Sequence, residues 1–208
     1  MKTQISSRQL SRKWQALLAQ RLSGWIKYGT YGLYRRTEDF VQWLVLDPSA
    51  YEPILRVHYT IQTLAEQFPA ADLTLGGIVR NSQGGELRLN AELIVQDVEQ
   101  TTTAIMIQIA PAITDSFSAE SVAQFLDTRQ FTHVSAFVGR GIAAVALGDK
   151  DLGQHLFRVA FAQYQQMTAT WARPLEARVH KWLEIEDKEL LNQLRRDALV
   201  GAELLRLK

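Results

Sequence analysis

Residues 25–46 carry a dense set of aromatic and β-branched side chains around a polar centre at 35–39, the pattern of two antiparallel strands joined by a turn. In the second of these strands Phe40, Gln42 and Leu44 alternate with Val41, Trp43 and Val45, so apolar residues fall on both faces and both faces need cover. In the first, Tyr31 and Leu33 share one side, and Gly29 and Gly32 predict a bulge or a tight backbone approach. Upstream, Ser6 or Ser7 caps a first helix whose Leu10, Trp14, Leu17, Leu18 and Leu22 make one apolar face, and Gly24 stops it.

Past a turn at 47–49, residues 54–64 alternate as a long third strand, with Leu55, Val57, Tyr59 and Ile61 on one side and Arg56, His58, Thr60 and Gln62 on the other. Phe68 and Pro69 interrupt it, and residues 73–80 form a fourth strand that ends in the polar, glycine-rich stretch 81–85. From about Asn90 the period changes to helical: Val98, Thr102, Ile105, Ile109, Ala112 and Ile113 recur on one face, and Pro111 bends or ends that helix. Residues 87–93 suit a strand as well as a helix start. Ser118 caps a short helix, and 131–147 and 152–167 form a helical hairpin about Gly148 and Asp149. Residues 174–207 suit one long or broken helix, with Pro174 in its first turn and Val179, Leu183, Leu190, Leu194 and Leu205 on one side.

Sheet first and helices after is an α+β order. The expectation is an N-terminal helix, a mainly antiparallel sheet of about four strands within residues 25–80, and a helical C-terminal half with little strand after Thr101. We expect one domain, 1–208, with the sheet-bearing part at about 1–95 and the helical part at about 96–208.

Composition narrows the function more than the fold. The 23 Lys and Arg against 22 Asp and Glu leave no global field that would favour nucleic acid or an anionic membrane, so any such site is local. The absence of cysteine excludes disulfides and thiolate metal sites. Residues 1–13 are polar and lack the apolar run of a secretion signal or anchor, which points to a cytoplasmic protein without membrane attachment.

The order of pieces resembles a bacterial family known as domain of unknown function 4304. The resemblance rests on the capped first helix, on Leu22 through Arg36 with its Trp25, Tyr28, Tyr31 and Tyr34, on Phe40 to Leu46, on Arg56 to Leu64 followed by Gly76 and Gly77, and on the proline and Ser-Ala-Glu-Ser of 109–126. It covers roughly the first 130 residues, by pattern and without a diagnostic motif. It implies a fold of helix, antiparallel sheet and helices, and carries no activity and no functional residues to this chain.

Each catalytic signature meets a simpler explanation. Gly139-Arg-Gly-Ile-Ala-Ala144 imitates a dinucleotide-binding turn, but the strand and acidic residue that should follow are replaced by a helical stretch, and small residues at close helix packing explain it. Gly76-Gly77 and Gly84-Gly85 lack the Lys-Ser/Thr of a phosphate loop and read as hairpin turns. His58, His133, His155 and His180 have no ligand spacing. Ser116, Ser118 and Ser121 have no nucleophile-elbow context. Glu184, Glu186, Asp187 and Glu189 lie among Lys181, Lys188, Arg195 and Arg196 at helical spacings, the mark of a solvated, ion-paired face.

What remains is the first half of the hairpin, where Lys27, Arg35 and Arg36 alternate with Trp25, Tyr28, Tyr31 and Tyr34. Rings beside cations hold single-stranded nucleic acid, and Tyr, Trp and Arg are also the anchors of protein interfaces. We therefore expect no catalytic, cofactor-binding or metal-ligating residues. The expected function is non-enzymatic binding of a protein partner through the sheet or the aromatic hairpin, in an accessory or immunity-type role. The alternatives are a small-molecule-binding protein or enzyme with a pocket between sheet and helices, and single-stranded nucleic-acid binding. Of the rings, alternation places Trp25 and Tyr31 in the core, with Tyr28 and Tyr34 more exposed.

Overall fold

The computed structural model describes residues 5–50, 52–109 and 117–207. The first helix, α1 (Ser7–Arg21), is opened by a capping box: the Ser6 hydroxyl accepts from the Gln9 N–H, and the Gln9 side chain accepts from the Ser6 N–H. Leu10, Trp14, Leu18 and Leu22 are buried, while Leu17 is only half-buried at the edge of the stripe.

The sheet has six strands: β1 (Ile26–Tyr28), β2 (Gly32–Arg36), β3 (Phe40–Pro48), β4 (Leu55–Thr63), β5 (Gly76–Ile78) and β6 (Arg88–Leu89). The first five run in chain order across it, and β6 pairs with β4 beyond the end of β5. The sheet is antiparallel, with Ile26 opposite Tyr34, His58 opposite Ile78 and Leu55 opposite Leu89. Four strands were expected, and the difference lies mainly at Gly29. There the backbone takes φ +53°, which glycine adopts at little cost, and the supposed single first strand turns back on itself as β1 and β2. Gly32 supplies the close approach: a Cβ there would lie 3.2 Å from the Tyr28 carbonyl oxygen.

Phe40 through Leu44, and Leu46, are all buried, so β3 is covered on both faces as its sequence requires. On β4 the apolar side is buried as expected, but Thr60 and Gln62 on the polar side are buried too. Gln62 is satisfied there, donating to the Ala70 carbonyl at 3.3 Å and accepting from the Asp72 N–H at 3.1 Å. Gly76 and Gly77 are strand residues and not a turn. Gly76 opposes Thr60 so closely that a Cβ would fall 1.8 Å from the Tyr59 carbonyl oxygen. The turn lies at 81–85, where Gly84 takes φ +82° and the Asn81 side chain accepts from the Gly85 N–H.

After β6, Asn90 caps α2 (Ala91–Gln96) by accepting from the Leu93 N–H, and α3 (Val98–Ile109) follows a break at Asp97. The expected effect of Pro111, and the face positions Ala112 and Ile113, lie outside the described residues. Five more helices follow: α4 (Ala119–Arg129), α5 (Val134–Ala146), α6 (Lys150–Gln166), α7 (Ala172–Glu184) and α8 (Asp187–Leu204). Among the described residues no strand follows Leu89. The C-terminal stretch is thus a broken helix, and Trp182, not Leu183, fills its core side.

By packing, the chain divides into two units that interleave along the sequence. The first comprises Met1–Arg35, Gln42–Thr60 and Gly76–Ile113; the second comprises Arg36–Val41, Ile61–Leu75 and Thr114–Lys208. In the second, small residues let the helical hairpin close tightly. A Cβ on Gly141 of α5 would meet the Phe157 ring at 2.6 Å, and one on Gly153 of α6 would meet Val145 at 2.4 Å. Gly141 belongs to the segment that imitates a dinucleotide turn, and its place is mid-helix.

Candidate interaction surface

The β1–β2 hairpin and β3 in the first unit carry a cluster of rings. Tyr28 meets Trp43 edge-on with centroids 4.9 Å apart, Tyr28 meets Tyr34 at 6.0 Å, and Tyr34 lies 5.7 Å from Trp43. These separations suit aromatic pairs whose quadrupoles favour edge and tilted contacts. Gln15 of α1 donates to the Gly32 carbonyl at 2.6 Å and Ser11 to the Thr30 carbonyl at 2.7 Å, tying the hairpin turn to the helix.

The seven residues singled out by sequence divide by depth. Trp25, Tyr34 and Arg35 are buried, Tyr28 and Tyr31 are half-buried, and Lys27 and Arg36 are exposed. The expectation that Tyr31 is core and Tyr34 exposed is reversed. Tyr34 is 2 % exposed because it sits within β2, which is buried on both faces, and packs on Tyr28 and Trp43, whereas Tyr31 lies in the turn that strand alternation does not govern. Arg35 stacks its guanidinium 5.6 Å from the centre of the Trp25 ring and donates from Nε to Gln42 Oε1 at 2.8 Å. Burial lowers its pKa to about 10, so it stays charged at neutral pH. The outward part of the hairpin is therefore Ile26, 43 % exposed, with Lys27 and the outer parts of Tyr28 and Tyr31.

The second unit holds a buried acidic residue that the sequence reading did not select. Glu66, 2 % exposed, accepts hydrogen bonds from the Thr63 hydroxyl and from Tyr164 Oη at 3.2 Å. Arg178 donates to the Glu66 backbone carbonyl and, at 2.8 Å, to Gln67 Oε1. Burial, only partly offset by the hydroxyl donors, pushes the Glu66 carboxyl up to about 7; burial and the Glu66 charge push the Tyr164 phenol upward as well. The Thr-x-x-Glu spacing of Thr63 and Glu66 is the one local signal of this pairing. Tyr164 is 98 residues away and no spacing rule brings it in.

Also in the second unit, Arg36, Thr37, Glu38, Arg195 and Leu199 line a cavity of about 430 Å³ at the β2–β3 turn. Arg195 pairs with Glu38 at 2.9 Å. Asp39 beside them is 6 % exposed; burial raises its pKa, with Arg195 opposing and Glu38 adding to the shift.

The histidines take separate roles. His58 lies 3.6 Å from Asp47, His133 accepts from the Ser135 N–H at the start of α5, His155 is exposed on α6, and His180 meets Phe161 at a tilt of 38°. Among the described residues no three His, Asp or Glu side chains form a group that could hold a metal ion. Ser118 and Ser121 are the capping box of α4, and Ser116 lies outside the described residues. Glu184 lies 3.8 Å from His180 and Glu186 pairs with Lys188, two residues away, on an exposed face, while Arg195 pairs with Glu38 and not with this acidic cluster. No helix among the described residues is long and apolar enough to cross a membrane.

No protein-family model, no curated protein and no solved structure matches this chain.

Proposed function

We propose that the chain is a non-enzymatic, partner-binding protein of accessory or immunity type, and that the β1–β2 hairpin is its recognition element for another protein. The observation that carries this reading is the contrast within the hairpin. Ile26 and Lys27 stand in solvent on an edge strand, while Tyr28 beside them is half-exposed and clamped by Tyr34 and Trp43. A ring fixed before binding loses little side-chain freedom on contact, and an apolar residue next to such a ring is the composition of an interface centre. An edge strand also offers backbone donors and acceptors to an incoming segment.

Nucleic-acid binding by ring stacking finds less support. Trp25 and Tyr34 are buried, and Arg35 is engaged with Trp25 and Gln42.

The test is affinity purification of the tagged full-length chain from its native host, in parallel with the Ile26→Asp and Lys27→Glu variants. We expect a co-eluting protein that the parent retains and Ile26→Asp loses, with the melting temperatures of both variants close to the parent's. An unchanged set of co-eluting proteins would overturn the assignment to the hairpin. A gel shift on short single-stranded DNA and RNA at low ionic strength addresses the other class, because phosphate contacts are strongest there. Binding that vanishes with added salt would replace the protein partner with nucleic acid.

A further inference from the structure

Helix α8 is two-sided. Leu190, Leu194, Ala198, Ala202 and Leu205 are buried, and a Cβ on Gly201 would fall 1.9 Å from the Leu64 carbonyl oxygen, so that side is pressed against the 61–75 segment of its own unit. The opposite side ought to be polar in a helix that ends its contacts there. It instead exposes Leu199 at 61 %, Val200 at 44 % and Leu204 at 50 %. These three lie within two turns of one another, and exposed Arg196 and Glu203 lie on the same face, between Leu199 on one side and Val200 and Leu204 on the other.

The order of charges on this face is self-complementary. If a second α8 lies antiparallel across the first with the two-fold axis between Leu199 and Val200, each Leu199 meets the other copy's Val200. The same register brings each Arg196 against the other copy's Glu203. It also sets Leu204 of the second copy opposite Arg195, at the cavity of about 430 Å³ that Arg195 and Leu199 line with Arg36, Thr37 and Glu38. One register thus covers the exposed apolar residues, pairs the charges among them and supplies an apolar side chain to the cavity. A closed two-fold contact of this kind uses the same patch on both copies. We infer that this face of α8 is a homodimer interface, with a second copy of the chain packed antiparallel about Leu199 and Val200.

Sedimentation equilibrium of the full-length chain over a range of concentrations tests it. We expect a mass that rises from the 23.6 kDa of the chain to twice that value. Leu199→Asp should hold the chain monomeric at every concentration with an unchanged circular dichroism spectrum, since Leu199 is exposed and its loss opens no core. Arg196→Glu should weaken dimerisation at least about tenfold, and the double variant Arg196→Glu/Glu203→Arg should recover most of it, as charge reversal across a two-fold contact requires. A parent that stays monomeric overturns the inference. So does a dimer indifferent to Leu199→Asp, or a double variant as weak as Arg196→Glu alone.

Discussion

Arg35 in the first unit and Glu66 in the second are both buried charged residues, and their surroundings handle charge differently. The guanidinium of Arg35 spreads its charge over a planar group that lies on Trp25 and donates to Gln42, and its pKa of about 10 leaves it protonated at any physiological pH. The carboxyl of Glu66 is compact and receives neutral hydroxyl donors from Thr63, Tyr164 and Ser135, while Arg178 spends two donors on the Glu66 backbone carbonyl and on Gln67. Raised to about 7, it changes charge within the physiological range. A diffuse cation with a ring to lie on tolerates burial, whereas a concentrated anion supplied with neutral donors remains close to neutralisation. The energetic cost of the first is constant with pH, and that of the second is not.

The ring cluster of the first unit should show the largest effect. Tyr34→Ala removes a side chain that is 2 % exposed and packed against Tyr28 and Trp43, and should lower unfolding stability by about 4 kcal/mol in urea titrations. A loss below about 1 kcal/mol would mean that the cluster is not the core of the first unit.

The next largest effect concerns Glu66, and its sign follows from linkage. The folded pKa, about 7, lies above the ordinary carboxyl value of 4.5, so the native state binds more protons than the unfolded state between those two pH values. Stability from this group is greatest below pH 4.5, falls as pH rises towards 7, and is flat above. Glu66→Gln removes the charge, so its stability relative to the parent should rise across that window by on the order of 3 kcal/mol and level off by pH 8. Parallel stability curves for the two proteins from pH 5 to 8 would show that the carboxyl is not protonated in the fold.

Arg35→Met provides the contrasting case. It retains an apolar stem beside Trp25 but leaves Gln42 Oε1 without its Nε donor, and should cost about 2 kcal/mol. Unlike the Glu66 effect, this cost should be the same at pH 5 and pH 8. The smallest effect belongs to Tyr31, a half-buried turn residue whose carbonyl, not its ring, accepts from the Leu46 N–H at 2.7 Å. Tyr31→Ala retains that bond and should lower stability by about 1 kcal/mol or less in the same titrations. A loss as large as that of Tyr34→Ala would erase the distinction between strand and turn in the hairpin.

Period and caps made much of this fold legible. The change from alternation to helical spacing near Asn90 separates sheet from helices, Ser6 and Ser118 start helices with the local bonds their side chains favour, and β3 reads as buried on both faces from its own residues. These are properties of contiguous chain, settled by interactions within a few residues. The split of the first strand at Gly29 was not legible, because a glycine in a strand permits a bulge, a close approach or a full turn, and the pairing of β1 with β2 selects among them. The depths of Tyr31 and Tyr34 followed from that choice, since it leaves Tyr31 in the turn and puts Tyr34 in β2, where residues on both faces are buried. Burial of Glu66 was hidden for another reason: it depends on α6 delivering Tyr164 and on the closing of a unit assembled from three separate segments. Local propensity determined where capped helices begin and which faces of β3 and α1 are apolar. Which charges are buried, and which apolar residues of α8 stay in solvent, was decided only by how distant segments pack, because desolvation is a property of the whole surrounding volume and not of sequence neighbours.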